Sequence, residues 1–128
     1  MRVLVFGSGV IGIAYGWALA EAGHDVTLLA RPPRAAELRA GVRITGTDMR
    51  RKPAGPLNTV YRPKLVEDFS ARDGYALILV TVRHNQWPEV LPALGSRMGH
   101  ADVLFFGNMW TRDEEIQKSL PPGGYLFG

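Results

Sequence analysis

Five short, nearly unbroken apolar runs recur along the chain: Arg2 to Phe6, Val26 to Ala30, Tyr75 to Val82, Val103 to Phe106 and Tyr125 to Phe127. Runs of this length without alternation fit strands buried on both faces of a parallel sheet. Between the first two the spacing changes. From Val10 to Ala22, apolar positions recur every three or four residues at Ile11, Ala14, Tyr15, Ala18, Leu19 and Ala22, which predicts a helix with those positions as its apolar face. Gly23 stands where a C-terminal glycine cap belongs. Strand, helix and strand together make one βαβ unit of about thirty residues.

Pro32 to Ala40 predicts a short helix that starts on proline and ends at Gly41. Val42 to Thr45 and Asn58 to Val66 read as two extended pieces joined by the polar stretch Gly46 to Leu57. No helical pattern lies between them, so they predict an edge hairpin rather than another parallel unit. Gln86 to Leu94 predicts a helix with Pro88 in its first turn and a kink at Pro92. Thr111 with Glu114 forms a capping-box pattern, and Asp113 and Glu115 also suit a helix N-terminus. Strands alternating with helices imply an α/β fold, a doubly wound and mainly parallel sheet with helices on both faces.

Composition narrows the function classes. A chain of 128 residues, 46% apolar and 21% charged, is expected to form one globular domain, neither disordered nor fibrous. The longest uncharged stretch, Val3 to Ala20, is interrupted by Gly7, Ser8, Gly9, Gly12 and Gly16, so it fits neither a membrane span nor a signal peptide. Without cysteine there is neither a disulfide framework nor thiolate chemistry, and a reducing cytoplasm is the expected setting. The net charge of +3 conceals a segregation. From Arg31 to Lys64 there are nine basic residues (Arg31, Arg34, Arg39, Arg43, Arg50, Arg51, Lys52, Arg62 and Lys64) against Glu37 and Asp48. Such a segment suits a phosphorylated small molecule, a nucleic acid or an anionic surface, while Arg50 to Lys52 alone reads as a solvated loop. Only Tyr61 is interleaved with these charges as a stacking residue, which argues against single-stranded nucleic acid.

Gly7-Ser8-Gly9-Val10-Ile11-Gly12 is a G-x-G-x-x-G sequence between a predicted strand and a predicted helix, the context in which that pattern binds dinucleotides. The first glycine permits the tight turn, the second lets backbone approach a pyrophosphate, and the third lets helix pack on strand. The sheet is therefore expected to be of the Rossmann type, with the edge hairpin as its addition. Its cofactor follows from the end of the second strand. There an NAD enzyme usually carries a carboxylate for the ribose 2′-hydroxyl. This chain has Leu28-Leu29-Ala30-Arg31 instead, and a guanidinium with no neighbouring carboxylate suits the 2′-phosphate of NADP. Arg34 is placed to supply a second contact.

The combination of Val3 to Gly12, Gly23-His24-Asp25-Val26, the Leu28 to Arg31 ending, Val80-Thr81-Val82-Arg83 followed by Gln86, and Phe105-Phe106-Gly107-Asn108 resembles the N-terminal domain of the ketopantoate reductase family. The resemblance spans nearly all of the chain. It implies an NADP-dependent reduction of a 2-keto acid to a 2-hydroxy acid. It also implies a cofactor site made of Gly7, Ser8, Gly9, Val10, Ile11, Gly12, Arg31, Arg34, Thr81, Val82, Arg83 and Asn108. Within it, Arg31 takes the 2′-phosphate and Asn108 lies near the nicotinamide ribose and substrate. Two positions depart from the family: Arg83 stands where a lysine is common, and Met109-Trp110 follow Asn108 where glycine is common.

The family's catalytic lysine and substrate-binding glutamate belong to a helical C-terminal domain, and no residue of this chain corresponds to them. The chain is thus expected to be a cofactor-binding domain without catalytic residues of its own and inactive alone, exposing a face prone to homodimer formation. Trp17, Trp87 and Trp110 are candidates for that face or for the core. The alternative is a stand-alone dinucleotide-binding or sensing module that acts through a partner. His24, His84 and His100 are isolated from carboxylates in sequence and predict neither a catalytic pair nor a metal site. No nucleic acid and no membrane partner is expected.

Overall fold

The structure, a computed structural model, describes residues 1–50, 52–107 and 114–128. Six parallel strands form the main sheet in the order β5-β2-β1-β6-β7-β8: β1 (Arg2–Phe6), β2 (Asp25–Leu29), β5 (Lys64–Val66), β6 (Leu77–Val80), β7 (Asp102–Phe105) and β8 (Tyr125–Phe127). Strand pleating divides the apolar runs between two cores. Val3, Val5, Val26 and Leu28 face one way and meet Ile13 and Trp17 of α1 (Val10–Glu21) and Leu38 of α2 (Pro32–Arg39). Leu4, Ile78, Val80 and Phe105 face the other way and meet Trp87, Leu91 and Leu94 of α3 (Trp87–Arg97) and Ile116 of α4 (Glu114–Ser119). The doubly wound architecture thus follows from two-sided burial of strands that carry no polar face.

Local signals set the ends of the first βαβ unit. Gly23 adopts φ +86, with its amide on the Ala20 carbonyl and the His24 amide on the Leu19 carbonyl. That paired closure is the Schellman arrangement, which glycine allows at no steric cost. Pro32 opens α2 and Gly41, at φ +93, follows its end. The apolar face expected for α1 is displaced, however. Gly12, Ile13, Gly16 and Trp17 are buried, while Ile11, Ala14, Tyr15 and Ala22 are exposed. A Cβ at Gly16 would stand 3.0 Å from a Leu28 methyl, so the helix approaches the sheet through glycine rather than through its larger apolar side chains. Tyr15 instead rests on the Phe106 ring at 4.4 Å.

The hairpin also differs from expectation. β3 (Val42–Asp48) and β4 (Gly55–Tyr61) pair antiparallel as a sheet of their own, lying on the α1 side of the molecule. The extended run predicted from Asn58 to Val66 breaks after Tyr61, and its tail becomes β5, parallel to β2. Pro63 at the break has no amide to continue a ladder. Arg50 anchors the hairpin by gripping the Asp48 carboxylate at 2.9 and 3.0 Å and stacking 4.4 Å above the Trp17 ring. Helix α3 continues through Pro92 to Arg97, farther than the predicted Leu94. The Thr111 capping pattern and Trp110 lie outside the described residues.

Three neighbouring strands are joined at their starts by Asp25, which accepts a hydrogen bond from Lys64 and pairs with Arg2 at 3.4 Å. The Lys64 hydrogen bond, then the charges of Lys64 and Arg2, hold this carboxyl below its ordinary value against an opposing effect of desolvation. A lowered folded-state value stabilises the fold above the unfolded carboxylate pKa of about 4 and loses that contribution as pH falls through the folded value. Melting curves recorded from neutral pH down to acid should therefore show a shallower acid decline in Asp25→Asn than in the wild type. Parallel curves would remove Asp25 from the acid sensitivity.

Candidate functional site

β1 delivers the chain to the carboxyl edge of the sheet, where Gly7 turns it at φ +126. A side chain there would meet both a strained backbone and the Thr81 hydroxyl, 2.7 Å from the Cβ position. The Thr81 hydroxyl donates to the Gly7 carbonyl at 2.9 Å and so ties the turn to the end of β6. Gly12 is tighter still, since its Cβ would stand 1.9 Å from the Gly7 carbonyl oxygen. Gly9 is different: nothing lies within 4 Å of its Cβ position, and its φ of −80 suits any residue. Two of the three glycines are thus demanded by the chain itself, and Gly9 is not.

α1 begins at this turn, with the Ile13 amide on the Gly9 carbonyl at 2.9 Å. The amides of Val10, Ile11 and Gly12 precede that first helical bond and have no intrahelical acceptor. With no acidic side chain in the first turn, this end of the helix presents donors and positive dipole to the cleft beside it.

The second wall comes from the end of β2. Ala30 is buried and bonds the Val66 carbonyl, and Arg31 then caps α2 as an extended, exposed residue. The Arg31 guanidinium has no partner among the described residues. Arg34 is held twice, donating from Nε to the Ser8 carbonyl at 3.2 Å and from Nη1 to Glu37 at 2.6 Å. No carboxylate stands where β2 ends at Leu29, but Glu67, just beyond β5, lines the cleft and pairs with Arg39 at 3.6 Å.

These walls enclose a cleft of about 690 Å³. It brings together the expected residues Gly7, Ser8, Gly9, Val10, Ile11, Arg31, Arg34, Thr81, Val82 and Arg83. Gly12 lies behind the lining as a packing residue, and Asn108 falls outside the described residues. The far side is a face of α3 and its leading turn: Gln86, Glu89, Val90 and Ala93. Glu89, Val90 and Ala93 were missed from the sequence, and Gln86 was singled out there only as part of the family resemblance, although the three- and four-residue spacing of the four marks one helix face. Gln86 also accepts the Arg83 amide at 3.2 Å, and the Trp87 indole donates to the Val82 carbonyl at 3.3 Å, so the rim after β6 is pinned at two points.

Much of the basic segment is internally neutralised. Arg34 meets Glu37, Arg39 meets Glu67, Arg50 meets Asp48 and Lys64 meets Asp25. Arg31, Arg43, Lys52 and Arg62 have no ion-pair partner among the described residues, Arg43 donating only to the Asn58 amide oxygen at 3.0 Å, and of these four only Arg31 lines the cleft. Among the described residues no group of three potential ligands could hold a metal, and no helix is long and apolar enough to cross a membrane. His84 packs on the Trp87 ring at 4.8 Å, His24 lies 3.4 Å from the N-terminal amine, and His100 is exposed.

Comparison with known proteins agrees with this geometry. The profile of the family described as Ketopantoate reductase PanE/ApbA matches residues 3–128. A D-mandelate dehydrogenase solved with NADH and anilino(oxo)acetate superposes with a TM-score of 0.79 at 18% identity, over all of this chain and 40% of that one. A PanE/ApbA family ketopantoate reductase from Ralstonia eutropha JMP134 gives a TM-score of 0.74 at 26% identity, over 99% of this chain and 40% of that one. A D-amino acid dehydrogenase of Vibrio cholerae serotype O1 is 62% identical over only 37 residues, 29% of this chain and 9% of that protein. The chain therefore spans about 40% of the length of the solved relatives and a smaller share of the matched dehydrogenase.

Proposed function

The chain belongs to the ketopantoate reductase family, and from that premise we propose that it is the NADP-binding domain of an oxidoreductase that reduces a 2-keto acid to a 2-hydroxy acid. One observation carries the cofactor assignment. The cleft ends in open space at Gly9 and unpaired helix amides on one side and in an unpaired guanidinium, Arg31, on the other. Those are the donors that a pyrophosphate and a 2′-phosphate need. One solved relative is described with NADH, so the fold alone does not choose between the two dinucleotides. The end of β2 bears on that choice, and there Ala30 leads to Arg31, with the one carboxylate of β2, Asp25, at the opposite end of the strand.

Bound cofactor supplies the hydride, and the protein supplies binding and orientation. Gly9 and the amides of Val10 and Ile11 hold the pyrophosphate, and Arg31 holds the 2′-phosphate. Thr81, Val82 and Arg83 form the rim on which the nicotinamide half lies. By resemblance to the family, Asn108 would lie near the nicotinamide ribose and the substrate, and the lysine that would move the proton completing the reduction belongs to the family's helical C-terminal domain. The 128 residues accordingly bind cofactor without turnover.

Calorimetric titration tests the assignment. The wild-type chain should bind NADPH at least tenfold more tightly than NADH. Arg31→Ala should lower NADPH affinity about 30-fold, the scale of a charge-assisted contact, and leave NADH affinity nearly unchanged. Equal wild-type affinity for both dinucleotides would remove the NADP assignment.

A further inference from the structure

Arg31 and Arg34 sit one helical turn apart on the same cleft wall, yet they are in different electrostatic states. Arg31 is exposed and has no partner. Arg34 is partly buried, its Nε is on the Ser8 carbonyl at 3.2 Å, and its Nη1 is on the Glu37 carboxylate at 2.6 Å. We propose that Arg34 is a positioning residue, a brace that fixes the glycine turn against α2, and that Glu37 keeps its charge out of the recognition of the 2′-phosphate.

The argument starts from what Ser8 does. Its carbonyl belongs to the turn that aims the Val10, Ile11 and Gly12 amides at the cleft. One side of that turn is already fixed, by the Thr81 hydroxyl on the Gly7 carbonyl. The other side faces α2, and among the described contacts Arg34 is what joins them across 26 residues of sequence. A guanidinium suits the task because Nε and Nη1 leave one rigid plane in different directions, so carbonyl and carboxylate are held at once. An ammonium has no such fork. The geometry also sets the distance from pyrophosphate donors to Arg31, because the residue that grips Ser8 lies on the helix that Arg31 caps. A brace of this kind improves binding of either dinucleotide equally, since it orders groups that both ligands use. A residue touching the 2′-phosphate would favour one of them.

This role rests on the dinucleotide reading, and the experiment separates the two. NADP+ and NAD+ are titrated into the wild-type chain, Arg34→Lys and Glu37→Gln, with melting temperature recorded for each. Amide hydrogen exchange is followed over residues 8–12. Arg34→Lys should weaken both ligands by the same factor, about tenfold for one hydrogen bond to a charged group. It should also speed exchange in the turn but not in β1, and leave the melting temperature within a few degrees of wild type. Glu37→Gln releases an unbalanced positive charge beside Arg31 and should shift preference toward NADP+ by a few-fold. A loss under Arg34→Lys confined to NADP+ would make Arg34 a phosphate contact and overturn the brace. So would unchanged affinity for both ligands, or an unshifted preference in Glu37→Gln. A wild-type chain that binds neither dinucleotide overturns the cofactor reading first, and this role with it.

Discussion

Gly12→Ala is expected to cost about 3 kcal/mol, the upper part of the range for overpacking a close contact, while Gly9→Ala, a change at the N-cap of α1, costs no more than about 1 kcal/mol. The two positions belong to the same glycine motif and separate because of what stands around them. An added methyl at Gly12 would lie 1.9 Å from the Gly7 carbonyl oxygen and 2.7 Å from the Thr81 hydroxyl. Both are held in place, the one hydrogen-bonded to the other, so neither can give way without opening the turn. An added methyl at Gly9 meets nothing within 4 Å. It projects instead into open space, where the proposed cofactor site has its pyrophosphate, so on that proposal cofactor affinity should fall at least tenfold. Urea denaturation and NADPH titration of both variants check the division. A stable Gly12→Ala would contradict the packing described, and a Gly9→Ala that binds normally would leave the second glycine of the motif without a ligand-related reason.

That contrast also shows what local sequence can and cannot convey. β1 was legible to the residue, because an unbroken apolar run has few ways to be buried on both faces, and β8 was legible to the residue as an apolar run even though Leu126 and Phe127 stay exposed at the sheet edge. The glycine turn and Arg31 stood out as residue types that suit phosphate, the rim after β6 stood out only through the family resemblance, and the structure brings all three to one cleft. The buried face of α1 was not. Hydrophobic periodicity scores Ile11, Ala14 and Tyr15 and gives glycine no weight. Yet Gly12 and Gly16 are the positions that come closest to the sheet because they have no side chain. Pairing partners were equally hidden. Nothing in the run Asn58 to Val66 says that its first half joins β3 and its last three residues join β2 on another sheet. Glu67 illustrates the same limit. It reads as a surface acid after a strand, and only the parallel β2–β5 pairing brings it to the cleft that Arg31 also lines, where it pairs with Arg39.

Trp87 was read only as a residue of core or surface, and the structure places it at the junction of packing and site. It is 2% exposed, lies 4.9 Å from the Phe105 ring, and would touch any side chain placed at Gly107. Its indole N–H reaches the Val82 carbonyl at 3.3 Å. One side chain therefore secures the β6 rim and the start of the segment that leads to Asn108. Trp87→Ala should lose about 4 kcal/mol through transfer and cavity terms, a large part of the 5–15 kcal/mol typical of a domain. Trp87→Phe keeps most of the ring contact and removes only the donor, leaving the Val82 carbonyl to water, for about 1 kcal/mol. The second variant is the one that isolates function. If the hydrogen bond orders the rim, Trp87→Phe weakens NADPH binding several-fold while still unfolding in one cooperative transition. Stability and affinity both equal to wild type in Trp87→Phe would show that the ring's packing alone sets the rim.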